Sequence, residues 1–420
     1  MTANVRKFRY AIGFLCVVVV AAQWFEILHS HGGRGGDYGL SREFGRRFLY
    51  HEDLYGHGLH YPYMPSAAMY FAPLALFGFT TGLLLRYCAA LVCLWLSLRM
   101  MQTMVRAANP QLAELLEGLG FQISVLSVLL ASHYVLRDLD DGGPHLILLA
   151  MLVAGAFNAW KGNTGSAAGW FGLATALKAN CGLFLPFLLW KRQWRMAILT
   201  TFAALFWIAL PALWMGPESW WRHQQQWNTV ALRSALGNPI PGAAESELRV
   251  QNQALRPAIL SVASHWSADA RTAGMLADAT MVLVFAVCCW TWRFPYQDQR
   301  DPRWPLESAI VMLLVLLLSP VTWTQHLVMV IPTLFLIIAQ GLGVGGLSRI
   351  GKSGLALFAV LALVLNRSVV GRTVYLTLLG YHIHTVAMLI MLTLLLVYRP
   401  CVPSSEDHSQ DHSEDHQLHS

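Results

Sequence analysis

The sequence predicts an all-α polytopic membrane protein, and three observations carry that prediction. Hydrophobic residues make up 55% of the chain and charged residues only 12%, about half the charged share of a soluble domain. Apolar runs recur at roughly 8–28, 82–104, 119–136, 145–160, 166–178, 181–190, 196–215, 273–292, 307–319, 325–341, 354–368 and 374–398, which gives about 12 transmembrane helices. Lys and Arg sit beside these runs and form no soluble basic domain. The positive excess, +6 overall and +11 over residues 1–403, therefore reports membrane topology and excludes a nucleic-acid partner.

Residues 11–28 are long enough to span the hydrocarbon layer and no Ala-x-Ala site follows them, so they read as an uncleaved first span. Arg6, Lys7 and Arg9 before it place the N-terminus in the cytoplasm. A Gly-rich polar stretch comes next and opens a first outer loop over 29–81. Residues 66–80 are taken to enter the outer leaflet without crossing, which leaves Arg99 and Arg106 cytoplasmic. By the same rule 166–190 is a helical hairpin, with Lys161, Lys191, Arg192 and Arg195 at its cytoplasmic ends.

This topology gathers the polar clusters on one face: the 29–65 stretch, Asp138–His145, Lys178 with Asn180, a large outer loop over 216–272, and the Ser319–His326 turn. Within the large loop, Trp220, Trp221 and Trp227 mark an amphipathic helix at headgroup depth. Residues 1–400 thus form one membrane-embedded domain. Residues 401–420 repeat Asp-His with almost no apolar content, and His408, His412, His416 and His419 belong to a disordered cytoplasmic tail. The seven cysteines fall in apolar segments or beside the last span, so they suggest neither a disulfide framework nor a metal site.

Moving a sugar from a lipid phosphate requires a base for the acceptor hydroxyl, cations for the departing phosphate and an amphiphilic groove. Asp37 in the Gly-rich lead is the candidate base, the competing reading being a cap for a helix starting near Leu40. Lys178, Arg256 and His326 are the candidate phosphate groups, with Arg34 and Arg42 behind them. A lysine at the tip of the apolar hairpin GLATALKANCGLFLPF is costly unless it snorkels or faces a cavity or ligand. Asp138-Leu139-Asp140 has D-x-D spacing but lacks the αβ domain that metal-dependent sugar enzymes use. Asp140 and Asp141 are therefore assigned to an acidic turn before Gly142-Gly143-Pro144, in reach of substrate hydroxyls.

Several motifs in order resemble glycosyltransferase family 87. They are Asp37-Tyr38, Asp53-Leu54-Tyr55, Tyr61-Pro62-Tyr63-Met64-Pro65 and Ala72-Pro73-Leu74-Ala75-Leu76, then Leu177-Lys178 with Gly182-Leu183-Phe184, Asn252-Gln253-Ala254-Leu255, and Leu318 to His326. The chain departs from the family at Asp141-Gly142-Gly143-Pro144 in place of G-Q-x-N, at the missing Pro after the hairpin lysine, and at Gln325 in place of the first His of W-D-H-H.

The resemblance implies a GT-C-type fold with the active site on its outer-face loops. It also implies a polyprenyl-phosphate sugar donor, most commonly mannose, a lipid or glycan acceptor, and an inverting displacement with Asp37 as base. His326, Asn252 and Gln253 are implied near the donor, and Tyr38 and Tyr61 near substrate. No cofactor or metal is expected, and the enzyme belongs in the plasma (inner) membrane of the cell envelope with its site on the periplasmic side and both termini cytoplasmic. The alternative is a polytopic transporter or lipid flippase, which calls for ionisable groups at mid-membrane and paired broken helices in two related halves. No such repeat is visible.

Overall fold

A computed structural model describes residues 3–30, 36–56, 63–235, 250–266, 269–296, 300–343 and 346–399, and contains no strand among them. Arg34, Tyr61 and the 401–420 tail lie outside the described residues. The helices used below are α1 (Ala3–Ser30), α2 (Gly36–Leu49), α3 (Pro65–Ala75), α4 (Phe79–Ala108), α5 (Pro110–Leu130), α6 (Ser132–Asp141), α7 (His145–Trp160), α8 (Thr164–Leu177), α9 (Phe184–Trp190), α10 (Trp194–Ala209) and α11 (Pro217–Ala235). They continue as α12 (Leu255–His265), α13 (Ala270–Thr291), α14 (Trp304–Leu317), α15 (Ile331–Leu342), α16 (Arg349–Ala359), α17 (Arg372–Gly380) and α18 (Ile383–Tyr398).

Among the described residues the apolar runs become five helices long and apolar enough to cross a membrane, or up to seven if each of two bent pairs is one span. Three shorter apolar helices accompany them, at Gly13–His29, Ala179–Trp190 and Trp304–Leu317. Runs that look continuous in the sequence are cut by breaks, and the breaks shape the site. α14 is the centre of the molecule, with all its residues buried, and α4, α7, α15 and α18 pack against it. The outward faces of α10 and α13 carry exposed Phe202, Phe206, Val282 and Leu283, as lipid-facing helices do.

α3 has 11 residues, which at 1.5 Å each is about 16 Å and too short to cross a bilayer of about 30 Å. It packs on α2 so tightly that a Cβ on Gly45 would lie 2.5 Å from the Phe71 carbonyl carbon. The α2–α3 layer is anchored to α11 and the turn before it: the Trp214 indole N–H donates to the Phe48 carbonyl at 3.1 Å, and Leu54 N–H donates to buried His223. On the open face of α2, Arg46 bridges Glu43 and Glu52, and its hydrogen bond pulls Glu43 down to about 2.

The stretch 164–190 folds back on itself. Phe171 of α8 stacks on Phe184 of α9 with ring centroids 4.4 Å apart, and Thr175 lies against Gly182. Residues 13 apart in one continuous helix would be about 20 Å apart, so the chain reverses between α8 and α9, with Lys178 at the tip. At the other end of the hairpin, Lys191 is no solvated loop cation: it is fully buried against Glu307 at 3.0 Å.

The second break separates α6 from α7, which meet at 118°. Gly142 takes the left-handed conformation (φ +69°) that a helix C-terminus favours, and Pro144 then starts a new helix. Asp138 holds the bend by accepting from the N–H groups of His145 and Leu146, each at 3.2 Å.

Candidate active site

Asp37 lies in the first turn of α2 and not, as expected from the glycines around it, in an irregular lead. Gly36 starts the helix with positive φ and packs against the Asp141 backbone. A carboxylate there suits the positive end of the helix dipole. Asp37 is partly buried, and its Oδ2 accepts from the Gln325 amide at 3.0 Å. Burial raises its carboxyl above the ordinary range, the Gln325 hydrogen bond opposes that, and smaller influences come from Asp138, Arg137 and Lys178.

Lys178 leaves α8 with an extended backbone, at the hairpin tip. Its Nζ lies 3.2 Å and 3.1 Å from the Nδ1 and Nε2 of His326. A point equally near both ring nitrogens lies over the imidazole face, because in the ring plane it would collide with Cε1. The Tyr63 ring flanks the ammonium, its centroid 5.9 Å away. Among the described residues no Asp or Glu lies within ion-pair distance of Lys178, so no carboxylate neutralises it by direct contact, although Asp37 and Asp138 act on it from further away. His326 accepts from the Trp323 N–H at Nδ1, which assigns the proton of the neutral ring to Nε2.

Both residues line a cavity of about 850 Å³. Its polar lining residues include Lys178, His326, Asn180, Asn228 and Ser319, and most of the lining is apolar, with Leu183 and Pro186 from the hairpin and Leu314 and Leu318 from the α14 end. Trp227 of α11 and Trp323 add aromatic surface. Asp37 does not line this cavity. It joins the site through Gln325, the residue before His326, and through its electrostatic interaction with Lys178.

The remaining expected contacts are placed differently. Gln253 is fully buried, with its amide N–H groups given to the Val250 and Leu379 carbonyls and its oxygen accepting from His384 N–H. Asn252 donates to the Pro320 carbonyl and accepts from Thr322 N–H. Asn252 therefore holds the turn leading to His326, whereas the Gln253 side chain ties the stretch before α12 to the α17–α18 junction. Arg256 pairs with Asp278 between α12 and α13, outside the cavity lining. Arg42 donates to the Phe77 carbonyl, and Arg137 binds Asp141 at 2.9 Å and Asp140 at 3.5 Å. Tyr38 is buried under Gly142 and Phe79.

Three residues that sequence reasoning did not place in the site, Arg86, Asp138 and His145, come together beside it. Asp138 is fully buried and pairs with Arg86 at 3.0 Å and with the His145 ring at 2.9 Å. The His145 ring lies 4.2 Å from that of His326, and its Nε2 lies 3.3 Å from the Tyr63 hydroxyl. The available signals were a lone arginine in an apolar run and an Asp–His pair straddling Gly-Gly-Pro.

The family model of glycosyltransferase family 87 matches residues 61–320, more than half of the chain. No curated protein and no solved structure matches it. The matched stretch holds Tyr63, Arg86, Asp138, His145 and Lys178, while Asp37 and His326 flank it and reach it through the contacts described above. The helices, the partly buried cation in an amphiphilic cavity and the family match agree: the chain belongs to glycosyltransferase family 87 and is a multi-pass membrane glycosyltransferase.

Proposed function

We propose that the enzyme transfers a sugar, mannose, from a polyprenyl-phosphate donor to a lipid or glycan acceptor at the periplasmic face of the plasma membrane. The reading rests chiefly on Lys178, a cation with no directly paired carboxylate among the described residues, in the lining of a largely apolar cavity. That combination suits a phosphate carried on a hydrocarbon chain: the ammonium takes the phosphate and the walls take the isoprenoid. Asp37 removes the acceptor proton as the acceptor oxygen attacks the anomeric carbon. The bond to the phosphate oxygen breaks, the configuration inverts, and the phosphate leaves against Lys178. No cofactor or metal enters this reading.

The Lys178→Ala variant should bind polyprenyl phosphate about tenfold more weakly, as loss of one charge-assisted contact implies. It should bind neutral polyprenol unchanged. Equal affinity of the wild type for the two lipids would end the phosphate reading, whichever variant is measured.

The base works as the carboxylate, so activity should fall on acidification through a pKa above the usual 3.9 or so of aspartate. Gln325→Leu removes the donor that favours the charged form. The acid limb of kcat/KM should therefore move to higher pH, and an unmoved limb would show that Gln325 does not act on the base.

The topology is proposed with Arg99, Arg106, Lys161, Lys191 and Arg192 on the cytoplasmic side and α3 in the outer leaflet. A cysteine at exposed Ala107, beyond Arg106, should resist impermeant maleimide in intact cells and react in inverted vesicles. The opposite labelling would reverse the assignment.

A further inference from the structure

We propose that Asp138 and His145 are positioning residues for the anion subsite, fixing through Tyr63 and His326 the two rings that hold the Lys178 ammonium against the cavity. The proposal rests on the reading of Lys178 as the donor-phosphate cation and deepens it. Asp138 Oδ1 accepts from the His145 ring Nδ1–H, so the neutral imidazole presents a lone pair at Nε2. The Tyr63 hydroxyl, 3.3 Å from that nitrogen, therefore donates to it, and this sets the Tyr63 ring where Lys178 meets its face. The other face of the subsite is His326, and the His145 ring packs on it at 4.2 Å. One buried histidine thus touches both rings beside the ammonium.

The need follows from the lysine itself. A flexible four-carbon stem with a compact charge is poorly oriented on its own, and among the described residues no carboxylate pairs with it directly to fix it. Rings locked from behind hold the ammonium without neutralising it, which leaves its charge for an incoming anion. Arg86 and two backbone N–H groups secure Asp138 in turn, so the chain of contacts ends in the bend between α6 and α7. Because Asp138 also holds that bend, its own variants would confuse folding with positioning. Tyr63→Phe and His145→Phe keep the rings and remove the hydrogen bond.

The test measures binding of polyprenyl phosphate and of neutral polyprenol to the purified full chain. Each variant should raise Kd for the phosphate about tenfold, the scale of one lost buried hydrogen bond, and leave polyprenol within about twofold. The double variant should be no weaker than His145→Phe alone, since both act through the same contact. Unchanged phosphate binding in both variants overturns the proposal, and so does equal weakening for both lipids, which a collapsed cavity would give. If His145→Phe does not fold, Tyr63→Phe decides alone. Lys178→Ala, run in parallel, separates the two ideas. Loss of phosphate preference there with none in Tyr63→Phe sinks only the positioning role, whereas no loss in Lys178→Ala removes the phosphate reading beneath it.

Discussion

Asp37→Asn is expected to leave the protein folded and membrane-inserted while lowering sugar transfer at least about a hundredfold, the lower end of what a positioned general base contributes. The asparagine is nearly the same size and keeps an oxygen to accept from Gln325, and α2 is held by its packing on α3 and by Trp214, neither of which involves residue 37. What disappears is a basic oxygen at the moment the acceptor loses its proton. The loss should therefore fall on kcat, with donor affinity kept. Near-normal turnover on saturating donor would sink Asp37 as base. The neighbouring carboxylate to test would then be Asp141, against which Gly36 packs.

Arg86→Leu should cost about 3–5 kcal/mol of stability, the usual result of removing one partner of a buried ion pair and leaving its counter-charge behind. Arg86 and Asp138 are almost wholly inaccessible, and Asp138 would keep only His145 and two backbone N–H groups as partners. Two of the Arg86 nitrogens have no hydrogen-bond partner, so the arginine is itself imperfectly satisfied. Arg86→Leu with Asp138→Asn should consequently recover part of the loss, because the stranded charge is gone. Thermal unfolding in detergent checks both. An Arg86→Leu protein as stable as the wild type would mean that the pair is incidental to the α6–α7 bend.

The helical character of the chain was legible in its apolar runs, and so was the hairpin at Lys178, because charges beside the runs leave few topologies open. Asp37, Lys178 and His326 stood out for a related reason: each is a polar group where an apolar chain has no local use for one. Asp138 and His145 were seen only as an outer-face polar cluster, since their part in the site depends on Arg86 and Tyr63, each more than 50 residues from Asp138, arriving at the same point. The D-x-D spacing drew attention to a chemistry that the fold does not support. Asn252 and Gln253 were assigned to the donor from a motif alone. Hydrogen bonding gives the Asn252 side chain to the turn before His326 and that of Gln253 to Leu379 and His384, which a sequence pattern cannot distinguish from ligand binding.

The most direct measurement of the central claim is turnover of labelled polyprenyl-phosphate mannose by the purified enzyme, with candidate lipid and glycan acceptors supplied in turn. The account predicts that the wild type moves label to an acceptor and releases polyprenyl phosphate, while Asp37→Asn binds the donor and transfers at least about a hundredfold more slowly. A wild-type enzyme that does not bind this donor, or an Asp37→Asn enzyme that transfers at the wild-type rate, would contradict it.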